Sequence, residues 1–314
     1  MSRLLAGVDI GGTKVLGVLV DEDQPDIVKA EHRVPTPQGT ENVLQAIVEV
    51  VQGLGTPVQS LGVGIAGLVD RTGVLQTAPN LPSLHHVSVR TELMQRLGRP
   101  VAVDNDATCA AWGEQRVGAA RGVSDATCIT LGTGIGTGLI ASGEVVRGAH
   151  GFAGEAGHMT VDPAGPLCPC GRRGCWERMA SGSGLARLAR DAAEAGRLER
   201  ALSLAGGEVA ALRGEHVTQA VLEGDRQALE LLSGFAWWVA LGIANLVTLL
   251  DPGMVVIGGG LIEIGEPLLG PVREHYSNQV MAHDQRADVR IEAAQLGERA
   301  GAIGAALLGG HREA

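Results

Sequence analysis

The chain has 314 residues, a formal net charge of −10 at pH 7, 45% hydrophobic residues and 19% charged ones. Such a length and composition describe a globular chain with room for about two domains and a sizeable core. The acidic balance argues against nonspecific attachment to nucleic acid or to an acidic membrane surface, while leaving room for a local basic patch on small anionic phosphates. The 47 glycines imply many tight turns and close backbone approaches.

Residues 4–9 read as a strand, Gly11-Gly12-Thr13 as a turn and residues 15–20 as a second strand. The chain therefore opens on a hairpin, not on a strand–loop–helix unit. Residues 27–34 can add a third strand. Residues 40–52 have helical periodicity in Val43, Leu44, Ile47, Val50 and Val51. A short strand follows at 61–65, a helix at 88–97 ending at Gly98, a buried strand at 101–103 and a helix from Asp106 to about residue 118. A second unit then begins in the same way, with a strand at 126–131, a glycine-threonine turn at 132–136 and a strand at 137–141. Residues 181–250 are mostly helical, 254–257 form a strand ending in Gly258-Gly259-Gly260, 289–292 a last strand and 301–308 an apolar helix.

The division expected is a small α/β domain of residues 1–118 plus 299–314 and a large α/β domain of 119–298 carrying a loop at 155–177. Glycines at 118–122 are the expected hinge. The uncharged stretch 231–250 is long enough to span a bilayer. It contains Ser233, Asn245 and Thr248, however, and its Trp237-Trp238 pair is central rather than interfacial, so a buried core helix is expected. With no targeting segment visible, a cytoplasmic protein without membrane or nucleic-acid partners is expected.

Asp9-Ile-Gly-Gly-Thr-Lys14 places Gly11, Gly12 and Thr13 where phosphate oxygens can reach backbone N–H groups. Lys14 supplies a point charge, and Asp9 at the strand end can hold hydrated Mg²⁺. Leu131-Gly-Thr-Gly-Ile-Gly-Thr-Gly138 contains Gly132, Thr133 and Gly134 in a dinucleotide-like pattern, but the strand that follows stands where a Rossmann unit needs a helix. Two such turns together can grip a polyphosphate. Asp104-Asn105-Asp106 sits at a strand-to-helix junction, where Asp106 is either a helix N-cap or a general base. Asn80 lies in an ordinary turn. Gly259 and Gly260 permit close approach to a base or ribose, or simply turn the chain.

Between Glu155 and Glu177 the chain gathers His158, Cys168, Cys170 and Cys175. Three thiols and one imidazole are the ligand set of a closed zinc site. The cysteines number five, and Cys168 and Cys170 are too near each other for an easy disulfide. Cys109 and Cys128 read as buried small hydrophobes. The two flanking glutamates are not needed by a structural zinc, so the loop also presents polar groups to a ligand.

Taken together, Asp9-Ile-Gly-Gly-Thr-Lys14, Asp104-Asn105-Asp106, Leu131-Gly-Thr-Gly134, Glu155-Ala-Gly-His158 and Cys168-x-Cys170-Gly-x-x-Gly-Cys175-x-Glu177 resemble the ROK family of sugar kinases, and within it the bacterial ATP-dependent glucokinases. The resemblance covers essentially the whole chain. It implies an α/β, actin-like ATPase (ribonuclease H-like) fold of two domains around a central cleft. It implies transfer of the γ-phosphoryl group of MgATP to the 6-hydroxyl of glucose, with Asp106 as catalytic base. It implies Asn80, Asn105, Asp106, Glu155, His158 and Glu177 as sugar contacts, and structural Zn²⁺ on His158, Cys168, Cys170 and Cys175. Homodimers or homotetramers are implied as well. Thr108 stands where the family often has Asn, and Thr137 where it often has Gly. Alternatives are a kinase of mannose, fructose or N-acetylmannosamine, a non-catalytic sugar sensor, and a structural actin-like ATPase. ROK repressors carry an N-terminal DNA-binding domain, and a first strand at residue 4 leads us to expect none here.

Overall fold

Glycine decides how the first sheet is packed. The structure, a computed structural model, describes residues 3–55, 58–79, 81 and 83–311. The chain divides into two units, one of Met1–Cys128, Thr137–Gly154 and Ala294–Ala314, the other of Ile129–Gly136 and Glu155–Ala293.

The first sheet is built from β1 (Leu4–Ile10), β2 (Lys14–Asp21), β3 (Gln24–Pro35), β4 (Ser60–Ile65) and β8 (Val101–Asn105), in the order β3-β2-β1-β4-β8. The opening hairpins β1–β2 and β2–β3 are antiparallel, whereas β1, β4 and β8 are mutually parallel neighbours. β1 and β4 are almost wholly buried, as parallel strands covered on both faces must be. Helices α1 (Thr40–Gly53) and α2 (Val89–Leu97) provide the crossovers between the parallel strands. Val43, Leu44, Ile47, Val50 and Val51 of α1 join the core with Val8, Ile10, Leu61 and Val63. The helix α3 (Asp106–Val117) leaves β8 directly, and α10 (Ala300–Gly310) is the last element.

α10 lies against β1, β4 and α3. A Cβ on Gly7 would come within 1.9 Å of the Ala302 carbonyl, one on Gly62 within 1.7 Å of that of Ala305, and one on Gly304 within 1.7 Å of that of Cys109. These helix–strand and helix–helix approaches are backbone on backbone, with no space for any side chain. Glu114 secures the same region from within. Its buried carboxylate accepts hydrogen bonds from the N–H groups of Ala119, Gln295 and Leu296, which fixes the end of α3 and the entry to α10. The expected hinge at Gly118 begins beside this carboxylate, 2.1 Å from where a Cβ on Gly118 would sit.

A small sheet of β5 (Leu68–Val69), β6 (Leu75–Thr77) and β7 (His85–Val87) was not legible from the pattern. Its strands are two or three residues long, too short to display alternation.

The second five-stranded sheet runs β11-β10-β9-β12-β13, from β9 (Ala126–Leu131), β10 (Ile135–Ala141), β11 (Glu144–Val145), β12 (Met254–Gly258) and β13 (Arg290–Ala293). The helices of the second unit are α4 (Trp176–Ala180), α5 (Gly182–Glu194), α6 (Glu199–Leu204), α7 (Gly214–Leu222), α8 (Arg226–Leu250) and α9 (Glu266–Gln279). α8 is the one helix among the described residues long and apolar enough to cross a membrane. Its Leu232, Phe235, Ala236, Val239, Ala240, Ile243 and Val247 are buried in the core of this unit. Asp225 caps it, accepting from the Ala228 N–H at 2.8 Å. Trp176 packs on Gly242, where a Cβ would lie 1.9 Å from the ring, and its indole N–H donates to the Trp238 carbonyl at 2.8 Å. The helix is a core element.

Gly304→Val tests the packing of α10. Overpacking of a fitted contact costs about 1–3 kcal/mol, and a backbone clash stands at or above the upper end. Gly234→Ala in α8 meets nothing within 4 Å and is expected to add about 0.5–1 kcal/mol. Urea denaturation of both variants measures this, and equal stabilities would refute the packing account.

Candidate functional site

In the first unit the parallel strands end side by side, in the register Asp9↔Gly64↔Asp104 and Ile10↔Ile65↔Asn105. The carboxyl ends of parallel strands are where open α/β sheets receive ligands. Gly64, the middle residue of the row, lets the start of α3 settle over the sheet: a Cβ there would lie 3.5 Å from Asp106 Cα. The N-cap of α3 is Asn105, not Asp106. Asn105 Oδ1 accepts from the Thr108 N–H at 3.0 Å, and its Nδ2 donates to the Gly67 carbonyl at 3.1 Å. Capping is thereby removed as the explanation of Asp106.

Burial pushes the Asp106 carboxyl above the usual carboxylate range, against hydrogen bonds from nearby backbone N–H groups and from Asn105. Asp9 is pushed up to about 7, first by burial and then by the charge of Asp106, while Lys14 pulls the other way. Asp9 Oδ1 is buried without a hydrogen-bond partner among the described residues. Gly301, in the first turn of α10, brings that helix's N-terminus against the carboxylate: a Cβ there would sit 2.7 Å from Asp9 Cγ. An orphaned carboxylate oxygen beside a second carboxylate is a donor set that fits a hard, hydrated divalent cation.

Gly11, Gly12 and Thr13 form the hairpin tip beside Asp9, closed by the Gly11 N–H on the Lys14 carbonyl at 3.1 Å. Lys14 Nζ is paired with Glu298, which also accepts from Arg33 at 2.7 Å. A phosphate contact from Lys14 requires exchanging Glu298 for the phosphate.

In the second unit, the side-chain donors of His158, Cys168, Cys170 and Cys175 all lie within 4.8 Å of one another. The backbone arranges this through two isolated bridges, Thr160↔Cys175 and Leu167↔Arg173, that close the loop on itself. Cys168 Sγ is 3.7 Å from His158 Nδ1, and Cys170 Sγ is 3.5 Å from Cys175 Sγ. Electrostatically the three thiols cannot all ionise alone. Burial raises Cys175 to about 12, helped by the other two thiols. Burial also acts on Cys170, but the Arg172 N–H and the neighbouring thiols bring it down to about 6. A divalent cation would let all three ionise, and the N-plus-three-S set fits tetrahedral zinc. With Nδ1 turned to the thiols, His158 Nε2 faces Glu155 Oε2 at 4.0 Å.

Glu177 closes the metal loop onto the second glycine-threonine turn. Its Oε2 accepts from the Ile135 N–H at 3.0 Å and occupies the space beside Gly134, 2.2 Å from where a Cβ would be. The turn itself is held by the Gly132 N–H on the Gly134 carbonyl at 3.0 Å. The Gly182 N–H, at the start of α5, donates to the Gly132 carbonyl at 2.7 Å, and Ser183 Oγ donates to that of Thr133 at 2.8 Å. Gly132, Thr133 and Gly134 thus stand at a helix N-terminus, whose dipole favours anions although its first N–H groups are taken by the turn's carbonyls and by Ser181. Gly259 faces protein: a Cβ there would strike the Leu131 backbone at 2.5 Å, whereas Gly260 meets nothing within 4 Å.

A ROK family profile matches residues 5–311. The chain belongs to the ROK family. It is 39% identical over 310 residues to the glucokinase of Streptomyces coelicolor, covering 97% of each chain. It is 34% identical over 302 residues to the N-acetylmannosamine kinase of Citrobacter koseri, covering 96% of this chain and 97% of that one. Among solved structures it is similar to a ROK glucokinase from Streptomyces griseus in complex with glucose and AMPPNP, with TM-score 0.88, 40% identity and coverage of 98% of this chain and 99% of that one. The α/β fold with two five-stranded sheets is the actin-like ATPase fold of these ROK proteins.

Asn80 lies outside the described residues. The two departures from the family's pattern are both buried. Thr108 is part of the Asn105 cap, and Thr137 Oγ1 has no hydrogen-bond partner among the described residues. Pattern reading missed Gly64, Gly301 and the Gly182-Ser183 start of α5, because each acts only by what the fold packs against it.

Two measurements test this geometry. The purified protein is expected to carry one zinc per chain by elemental analysis, and Cys175→Ser to lose it; full zinc in that variant would refute the four-donor site. For Asp9, the folded value of about 7 lies above the ordinary aspartate value of 3.8. In chelated protein the folded state alone keeps this proton between those values, so stability falls as pH rises through the interval. Asp9→Asn removes the penalty, and its urea midpoint is expected to gain on the native chain from pH 5 to pH 8. A gap independent of pH would contradict the burial of that charge.

Proposed function

We propose that this ROK protein is an ATP-dependent glucokinase, transferring the γ-phosphoryl group of MgATP to the 6-hydroxyl of glucose. The observation that carries the reading is the full-length likeness, at 40% identity, to a glucokinase described with glucose and AMPPNP.

The chemistry follows from this chain's own side chains. Asp106, freed from capping by Asn105, has a carboxyl raised by burial, which makes it a stronger base than an exposed aspartate. It takes the proton of the attacking hydroxyl. Glu155 and Glu177 accept from sugar hydroxyls, and Asn80 and Asn105 add contacts. Glu177 does so with the oxygen not given to Ile135. His158 donates through Nε2, since Nδ1 is turned to the thiols. The zinc of this loop, when bound, supplies positive charge that keeps the thiolates ionised. Gly132, Thr133 and Gly134 with the N-terminus of α5, and Gly11, Gly12, Thr13 and Lys14, hold the phosphates; Gly259 and Gly260 border the nucleoside. Mg²⁺ on Asp9 would supply charge against that building up on the phosphoryl oxygens. Positioning and electrostatics then account for most of the rate, as in phosphoryl transfer generally. We place the protein in the cytoplasm, as a homodimer or homotetramer, with a small domain of 1–118 plus 299–314 and a large one of 119–298.

A second reading, phosphorylation of N-acetylmannosamine, is favoured by the 34% identical relative. ADP release over a panel of hexoses and N-acetylhexosamines with MgATP separates the two: glucose should give the highest kcat/KM. Asp106→Asn is expected to bind sugar normally and to lose about 10²–10⁴-fold in kcat. No turnover with any sugar would sink the kinase reading, and near-normal turnover of the variant would sink the base.

A further inference from the structure

The first unit contains a cavity of about 350 Å³ that the reaction above does not use. Asp70 and Arg71 line it from the turn between β5 and β6, Arg90 from the first turn of α2, Asp104 from β8, and Arg147 and His311 from the remaining sides. Neither Asp9, Asn105 nor Asp106 lines it.

Its two carboxylates are already committed. Asp70 Oδ1 accepts from the Thr72 N–H at 2.8 Å, the Thr72 hydroxyl at 2.6 Å and the Val74 N–H at 3.1 Å, and its Oδ2 accepts from Gln76 at 2.8 Å. Despite burial, these bonds hold the Asp70 carboxyl down at about 2. Asp104 Oδ1 accepts from the Asn105 N–H at 2.9 Å, and Oδ2 from Arg147 Nε at 2.6 Å. Arg71 gives one N–H to the Gly148 carbonyl at 2.9 Å. Arg90 differs from both. Its guanidinium has no hydrogen bond or ion pair among the described residues, and its Nε is shut off from solvent. The Asp70–Gly73 turn rests on it, for a Cβ on Gly73 would lie 2.8 Å from that Nε. With Nε covered by that turn, the terminal guanidinium nitrogens, which have no partner among the described residues, are the donors left for a ligand.

We propose that this cavity binds a compact phosphate-bearing anion, with the guanidinium groups of Arg71 and Arg90 as its principal partners. The charge balance of the lining, three arginines against two aspartates, is positive before His311 is counted. Guanidinium forks match phosphate oxygens two at a time. The volume falls in the range of small-molecule pockets, about 300–1,000 Å³, which suits a small phosphomonoester and also admits orthophosphate.

The test is calorimetric titration of the full chain with inorganic phosphate and, separately, with glycerol 3-phosphate, each with and without saturating glucose and AMPPNP. Saturable binding that survives glucose and AMPPNP is expected. It should weaken at least tenfold in Arg90→Gln and in Arg71→Gln, with kcat for the sugar unchanged, and stay as in the native chain in Arg200→Gln, a surface arginine paired with Glu223. Tighter binding of one probe identifies the source, organic or free phosphate. Absence of saturable binding overturns the proposal. So does displacement by AMPPNP, or binding undiminished in variants whose thermal melts match the native chain. Should Arg90→Gln fail to fold, Arg71→Gln, on an exposed turn, carries the test.

Discussion

The first unit depends on backbone-to-backbone contact between its last helix and its central strands. Gly7 and Gly62 leave β1 and β4 bare where α10 crosses them, and Gly304 leaves α10 bare where α3 crosses it. Any side chain at these points would hold the elements apart by the width of at least a methyl group. Interiors are packed too densely to absorb that shift locally. The start of α10 would then leave Asp9, and α3 would leave its seat over Gly64. The positions of both aspartates are thus consequences of what three glycines lack.

That placement has an electrostatic result. Burial raises both carboxyls, and the charge of Asp106 adds to burial in pushing Asp9 up to about 7. The same feature that makes the pair costly to the isolated fold makes it receptive to a cation and to a substrate proton. Stability is given up where chemistry is wanted.

The metal loop solves a different problem. Within residues Glu155 to Glu177, Met159, Val161 and Trp176 pack on the core of the unit, and a closed four-donor cluster is a means of ordering the stretch between them. Once ordered, the loop uses Glu177 to grip the Ile135 N–H, and Gly134 gives that carboxylate its space. The metal loop and the glycine-threonine turn are tied together by one side chain.

Much of this was legible in the chain. The two opening hairpins, α1, the strand-to-helix junction at Asp106 and the four metal donors follow from local pattern, because periodicity, turn chemistry and ligand spacing are short-range properties. The likeness to ROK kinases rests on the same motifs. Not legible were β5, β6 and β7, too short to show a period, and the choice of Asn105 over Asp106 as cap, which hangs on a single side-chain rotamer. Nor could the chain order show that Glu298 holds Lys14, that Gly301 faces Asp9, or that Arg71 and Arg90 share a cavity. The sequence by itself determined which chemical groups are available and which local shapes carry them. Only the tertiary structure decided which of them are buried, paired or left without a partner, because burial and pairing are set by residues hundreds of positions apart that only packing brings into contact.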